Sequence, residues 1–162
     1  MPKVVFDGRY KVHLVTTIAD KDAPTVTEIE AGDDITTRCP KDFLNWGKTQ
    51  CRVNAGDISS LFAAENMGTW TLPGSMQVFL DTTEADEVAW ELIDLLVQTH
   101  LVIAPYGWSG TTGDPESGDK AYVVEVEFGM PTPTNPAENE NQRAEVDFAV
   151  QSEPSFNATV AV

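Results

Sequence analysis

The sequence predicts a mainly β protein, a β-sandwich or barrel of about seven or eight strands with one flanking α-helix. Most segments alternate apolar and polar residues with period two, as half-buried strands do. One segment, residues 85–100, repeats its apolar residues at intervals of three and four, as an amphipathic helix does. Hydrophobic residues make up 41% of the 162 residues, which is typical of a folded chain with one core. We therefore expect a single domain spanning residues 1–162.

The N-terminal third is expected to begin with a β-hairpin. Alternate apolar residues between 10 and 18 predict one strand, and residues 25–30 are a second run rich in β-branched side chains. A turn-like segment at 19–24 joins them. Residues 31–48 follow no strong period and are predicted to form a long loop, although they include Phe43 and Trp46. Further strands are predicted at 49–54 and 75–80.

The remaining residues predict a helix followed by four strands. The sequence DTTE at 81–84 has the Asp and Thr caps and the acidic first turn of a helix. We expect this helix to span residues 84–100, with its apolar stripe against the core and His100 near its C-terminal end. Strands are expected at 101–106, 120–128, 143–150 and 156–162, with a Gly-rich loop at 107–119 and a polar insert at about 131–142.

The charge balance is strongly acidic. The chain has 26 Asp and Glu against 10 Lys and Arg, a formal net charge of −16. In residues 82–162 the only bases are Lys120 and Arg143, so this half is a poor partner for phosphates or anionic membrane surfaces. The N-terminus has no apolar run of signal-peptide length. We therefore expect the protein to be made in the cytoplasm.

No catalytic or metal-binding pattern stands out. The two histidines, His13 and His100, lie far apart in the sequence, and a structural or surface role is expected for each. The Gly-rich loop lacks the Lys-Ser/Thr pair of a phosphate-binding loop. Residues 114–125 resemble a calcium loop but have Asp119 where the loop needs glycine. Cys39 and Cys51 are too few for a disulfide framework and are expected to be free, buried thiols. The sequence thus predicts no enzyme, no cofactor and no metal.

One pattern does suggest a specific surface. In the strands at 120–128 and 143–150, apolar residues alternate with Glu125, Glu127, Glu145 and Asp147. If the two strands are neighbours, the four acids share one face, where like charges opposite one another would be destabilising. A solvated surface that carries charge for solubility is one explanation. A specific function for the acids is the other.

Three stretches together resemble a known family. The sequence VTEIEAGDDIT at 26–36 occurs in the opening strand pair, and the capped helix at 84–100 runs directly into LVIAPYG at 101–107. EVDFAV at 145–150 precedes EPSFNATVA at 153–161, a terminal strand pair with a Glu-Pro turn. Their order is similar to that of the major tail protein, or tail tube protein, of long-tailed bacteriophages, particularly those of actinobacterial hosts. The resemblance covers nearly the whole chain.

This resemblance implies a structural protein of the virion tail. It implies homohexameric rings that stack into a tube for DNA ejection and meet tape-measure and tail terminator or tip proteins. The four acids would line the lumen and repel passing DNA without binding it. The segment with Asp33, Asp34, Phe43 and Trp46 would make inter-ring contacts, although a satellite core inside the subunit would equally explain its aromatic residues.

Two other classes of protein remain open. A tube subunit of a contractile injection or secretion device resembles the same fold and differs in binding a sheath. A monomeric ligand-binding β-sandwich would use Trp70, Trp90 and Trp108 as a binding platform. Rings or tubes visible by electron microscopy would separate the assembling classes from the monomeric one.

Overall fold

The computed structural model describes residues 9–54, 65–80, 97–134, 138 and 140–162. These residues are mainly β, as the sequence predicts, with one short α-helix and one 3₁₀-helix, Thr36–Arg38, among them. The helix α1 is Val26–Glu30. The strands are β1 Lys11–Val15, β2 Asp33–Asp34, β3 Leu44–Trp46, β4 Thr49–Asn54, β5 Glu65–Thr71, β6 Gly74–Phe79, β7 Gln98–Ala104, β8 Lys120–Phe128, β9 Thr132–Pro133, β10 Arg143–Val150 and β11 Ser155–Thr159.

Nine of the strands form one antiparallel sheet. Its order is β2-β1-β7-β8-β10-β6-β3, with β11 paired to β8 and β9 paired to β10. Strands β4 and β5 form a separate hairpin. One side of β8 pairs with β7, and the other side pairs first with β11 and then with β10. Strand β8 is therefore the centre of the fold, and β2 and β3 are its two edges.

The sheet has a core on each face. The main core lies on one face, where Val124, Val126 and Phe128 of β8 pack with side chains of β1, β6, β7 and β10. Ile35 and Phe43, from the segment that joins β2 to β3, complete this core. The second core covers part of the opposite face and contains Ala121 and Val123 of β8. Other members of the second core are Val15, Ile18, Ile29, Val102, Ala104, Trp108, Ala158 and Val160.

The predicted N-terminal hairpin is wrong in its second arm. Residues 26–30 form α1, not a strand, because Thr25 is an N-cap and forms a capping box with Glu28. The Thr25 hydroxyl accepts from Glu28 N–H, and the Glu28 carboxylate accepts from Thr25 N–H. The sequence signal for this helix, Thr-x-x-Glu, is present at 25–28. Burial of Ile29 then fixes α1 on the second core.

The segment 31–48 is not one irregular loop, since it contains β2, the 3₁₀-helix and β3. Two of these elements pair with the main sheet, β2 with β1 and β3 with β6. This pairing fixes the backbone at both ends of the segment. The polar insert likewise includes β9, which pairs with β10. Strand β5 was not expected from the sequence.

The predicted helix at 84–100 falls mostly on residues 81–96, which lie outside the described residues. Its predicted end at His100 is wrong, because Gln98, Thr99 and His100 belong to β7 and pair with β8. Strand β7 therefore begins three residues before the predicted start at Leu101. It ends at Ala104, whose carbonyl accepts from the Gly107 N–H in a turn. Among the described residues, no helix is long and apolar enough to cross a membrane.

Candidate functional site

The four predicted acids lie on one face of the sheet. Glu125 and Glu127 of β8 and Glu145 and Asp147 of β10 alternate with residues buried in the main core. Strands β8 and β10 are neighbours, as the sequence argument required. The structure therefore brings the four acids to the face opposite the main core. We call this set of four residues the acidic face.

The register of the strands separates the acids from one another. Glu127 lies opposite Ala149 of β10, and Glu125 lies opposite His100 of β7. On the far side of β10, Glu145 and Asp147 lie opposite Gln77 and Ser75 of β6. No two acids of the set are direct cross-strand partners. The expected repulsion between opposed like charges was therefore wrong, because each acid has a neutral or histidine neighbour.

Glu125 is held by a hydrogen-bond chain. The Ser152 hydroxyl donates to Glu125 Oε2. Lys21 Nζ donates to the same Ser152 oxygen at 2.6 Å and to the Glu153 carbonyl at 2.8 Å. Glu125 is half-buried, and the Ser152 hydroxyl links it to the Lys21 ammonium group. Of the four acids, Glu125 is thus the one most closely compensated within the subunit.

At the other end of the face, the acids of β10 lie beside β6. Ser75 Oγ donates to Glu145 Oε1 at 2.9 Å, and Asp147 is exposed. Arg143 shares this face, but its Nη1 atom lies 3.3 Å from Asp42 Oδ1 and 3.2 Å from Gln77 Oε1. The Arg143 guanidinium is therefore already paired. Ser75 and Ser152 were missed in the sequence, because only the register and the turn after β10 bring them to the acids.

The described residues of the subunit cover only part of this sheet face. Around β1, β7 and the first half of β8 the face carries the second core, to which Ile29 of α1, Ala158 and Val160 contribute. Beyond Glu125 the side chains on this face become half-buried or exposed. Among the described residues, the apolar half thus packs inside the subunit, and the acidic half is only partly covered. This acidic half is the candidate functional surface.

The residues predicted for inter-ring contact do not form one surface. Asp33 and Asp34 lie on edge strand β2, and Trp46 lies on β3 at the opposite edge of the sheet. Asp34 is 3.8 Å from Lys11 Nζ. Phe43 is only 5% exposed and belongs to the main core. For Phe43 the intramolecular core is therefore the correct alternative, since burial leaves its ring no surface to offer another subunit.

The residues tested for catalysis or metal binding have structural contacts. His13 is buried, and its Nε2 atom accepts from Trp108 Nε1–H at 3.1 Å. Burial lowers the pKa of His13, Asp34 partly opposes this, and Lys11 adds to it. Asp119 Oδ2 accepts from the N–H groups of Ser109 and Glu116, at 2.9 and 3.0 Å. Among the described residues, no group of three or more His, Cys, Asp or Glu could hold a metal ion.

The cysteines are free thiols, as predicted, but they differ in exposure. Cys39 is half-buried, and burial, with a smaller effect of Asp34, raises the pKa of its thiol to about 12. Cys51 lies on β4 and is exposed, so the prediction of a buried thiol was wrong there.

The comparison with protein families decides the identity. The family described as "Phage tail tube protein" matches residues 1–162, the whole chain. The chain belongs to the phage tail tube protein family. Membership assigns it a structural role in the tail of the virion, as one subunit of a multi-subunit assembly. The resemblance found in the sequence of this tail tube protein is therefore confirmed.

A solved structure titled "Virion of native gene transfer agent (GTA) particle" contains a chain similar to this tail tube protein. The two chains are 10% identical with a TM-score of 0.49, and the match covers 91% of this chain and 95% of the other. No curated protein matches the sequence.

Proposed function

We propose that this tail tube protein forms hexameric rings that stack into a tube through which DNA leaves the capsid, with the acidic face on the channel wall. The observation that carries the proposal is the division of one sheet face, among the described residues, into an apolar half buried in the second core and an acidic half that is only partly covered. Cross-strand charge pairing does not explain the acids, because of the four only Glu125 lies opposite a base, His100.

Electrostatics supports this location. A hexamer would repeat the four acids six times around the channel, while Arg143 is already engaged by Asp42. DNA phosphates would therefore meet negative charge and few cations to bind. The wall would pass DNA without holding it, as ejection requires. Tape-measure protein and tail terminator or tip proteins are the further partners proposed for such a tube.

The edges of the sheet are available for ring formation. The two ends of the strand order, β2 and β3, have two and three residues and no further strand beyond them among the described residues. Unpaired strand edges can pair with another chain, but strands this short limit the pairing to a few hydrogen bonds. Side-by-side contacts between neighbouring subunits would cover both edges.

The test is reversal of the acidic face. We expect a variant with Glu125, Glu127, Glu145 and Asp147 all changed to Lys to assemble tubes that eject DNA more slowly, with the defect easing as salt rises. The control reverses four exposed acids elsewhere, namely Asp20, Glu30, Asp114 and Glu116. Normal ejection by the first variant at low salt would contradict a repulsive lining. Slow ejection by both variants would show that only total charge matters.

The two alternative classes of protein, a ligand-binding β-sandwich and a contractile-device tube subunit, have different outcomes. A ligand-binding platform of Trp70, Trp90 and Trp108 is wrong as proposed, because Trp108 is 9% exposed and donates to buried His13. Trp90 lies outside the described residues. A contractile device would use the same tube with a sheath around it, and the presence of a sheath in the particle would distinguish it.

A further inference from the structure

An aromatic pocket lies beside the beginning of β8. The Phe156 ring packs edge-to-face on Trp46 at 5.7 Å and on Tyr122 at 5.8 Å between ring centroids. Lys48 Nζ lies 5.0 Å from the centre of the Trp70 ring. The space between these groups is about 670 Å³, bordered also by Glu153. We use "aromatic pocket" for the site formed by Trp46, Lys48, Trp70, Tyr122, Glu153 and Phe156.

The pocket is open to solvent although it is rich in aromatic side chains. Phe156 is 44% exposed, and Trp46, Trp70 and Tyr122 are half-buried. Rings in this state present apolar faces that an incoming side chain could cover. Thioether sulfur makes favourable contacts with aromatic rings at about 5 Å. A methionine is thus a side chain that this pocket would accept.

An exposed methionine lies at the other end of the same strand. Met130 follows the last residue of β8 by two positions and is 70% exposed. Among the described large apolar side chains, only that of the terminal residue Val162 is more exposed. Tyr122 and Phe128 are six residues apart in β8, which corresponds to about 20 Å at about 3.3 Å per residue. The pocket and Met130 therefore lie at opposite ends of the subunit's central strand.

The two ends also differ in charge. Lys48 borders the aromatic pocket, Lys120 begins β8, and Lys41 borders the adjoining space beside Trp46 and Tyr122. Glu153 is the acid at the pocket. At the Met130 end, the insert at 131–142 contains Glu138 and Glu140 and neither lysine nor arginine. In a head-to-tail contact, Lys48 and Lys41 would face Glu138 and Glu140. The pocket end also has acids, since Asp22 bonds to Ser155 and Asp119 precedes Lys120.

We propose that Met130 of one subunit enters the aromatic pocket of a second copy of this chain in the next ring. The proposal rests on the stacking of rings proposed above and names the side chains that make the contact. Because the two surfaces differ, the contact is heterologous and repeats without limit along a stack. The acidic insert would then lie over Lys48 and Lys41.

Cysteine cross-linking tests which ends meet. In a Cys51→Ser background, Met130→Cys is combined with Glu153→Cys at the border of the pocket. Cys39 is half-buried, its thiol pKa is raised to about 12, and it stays in place. After tube assembly and oxidation, we expect a ladder of covalent multimers in denaturing gels, because each subunit would bond to one copy above and one below. The matched control replaces Met130→Cys with Met67→Cys, since Met67 is 64% exposed on the β4–β5 hairpin.

The possible results are separable. A ladder for the Met130 pair that is absent for the Met67 pair supports the contact. Equal ladders, dimers alone, or tubes without cross-links overturn it while leaving the tube proposal intact. Failure of the unmodified protein to form rings or tubes under any condition would overturn the proposed function itself.

A second variant avoids any effect of introduced cysteines. Met130→Gln keeps the length of the side chain and removes its apolar end, and its exposure predicts an unchanged melting temperature. We expect the protein concentration needed for tube growth to rise at least about tenfold, since burying a methionine favours association by that factor or more. Met67→Gln is the control. Equal tube growth by Met130→Gln and the unmodified protein would overturn the contact.

Discussion

The indole N–H of Trp108 donates to the buried imidazole of His13 across 3.1 Å, and this pair joins the Gly-rich loop to β1. The two rings are inclined at 60° with centroids 5.8 Å apart. His13 Nε2 can accept this bond only while it is unprotonated. The loop is thus attached to the sheet through a hydrogen bond that only the neutral imidazole of His13 can accept.

We expect acid to weaken this attachment. Burial lowers the pKa of His13, more than Asp34 opposite it on β2 restores it, and Lys11 of β1 lowers it further. Between the pKa values of the folded and unfolded states, the unfolded chain binds more protons, so stability falls as pH drops below about 6.5. The measurement is the free energy of unfolding between pH 7.5 and 5, together with the indole N–H resonance of Trp108.

The second histidine supplies the control for this pH dependence. His13→Gln should reduce the slope of stability against pH, while His100→Gln should preserve it, because His13 and not His100 accepts the hydrogen bond of the Trp108 indole. Identical slopes for His13→Gln and the unmodified protein would show that His13 does not cause the dependence. Asp34 and Glu28 change with the histidines, because His13 helps to lower the pKa of Asp34 and His100 that of Glu28. The remaining carboxylates are common to all three proteins.

The capping box of α1 predicts a local loss of stability. Thr25→Ala removes the hydroxyl that accepts from Glu28 N–H, and we expect it to cost about 0.5–2 kcal/mol. Thr27→Ala is the matched control, because Thr27 is exposed within the same helix and has no capping contact. Urea unfolding of both variants measures the difference. Equal stabilities would mean that packing of Ile29 alone holds the helix.

Close packing at Gly74 predicts a sensitive position in β6. A Cβ atom there would lie 2.3 Å from Cζ of Phe148, whose ring belongs to the main core. We expect Gly74→Ala to cost about 1–3 kcal/mol by displacing that ring. Gly47→Ala should change stability by less than about 0.5 kcal/mol, because no atom lies within 4 Å of its Cβ. Thermal unfolding of the two variants checks the contrast.

The acidic loop before β8 predicts metal-independent folding. The Asp119 carboxylate accepts from Ser109 and Glu116 N–H, which gives the loop an internal anchor. We expect the melting temperature to be the same with and without a strong chelator. An Asp119→Asn variant should lower it in both conditions, because the amide is a weaker acceptor for two backbone donors. A loss of stability caused by the chelator alone would assign a cation to this loop.

In the long strands, the local sequence pattern was enough to predict which side chains face a core. In residues 120–128 and 143–150, alternation placed Val124, Val126, Val146 and Phe148 inside and the four acids on the other face, and the structure agrees. This succeeded because strand periodicity is local and independent of the partner strand. The order of segments was also sufficient to identify the tail tube family.

Features that depend on a neighbouring strand or on packing could be seen only in the folded structure. The β-branched run at 26–30 became a helix because the capping box at Thr25 and burial of Ile29 outweighed strand propensity. Gln98 to His100 joined β7 because β8 offers them hydrogen bonds. Periodicity fixes a face but not a register, so only the folded sheet could place Ala149 opposite Glu127 and Ser75 beside Glu145.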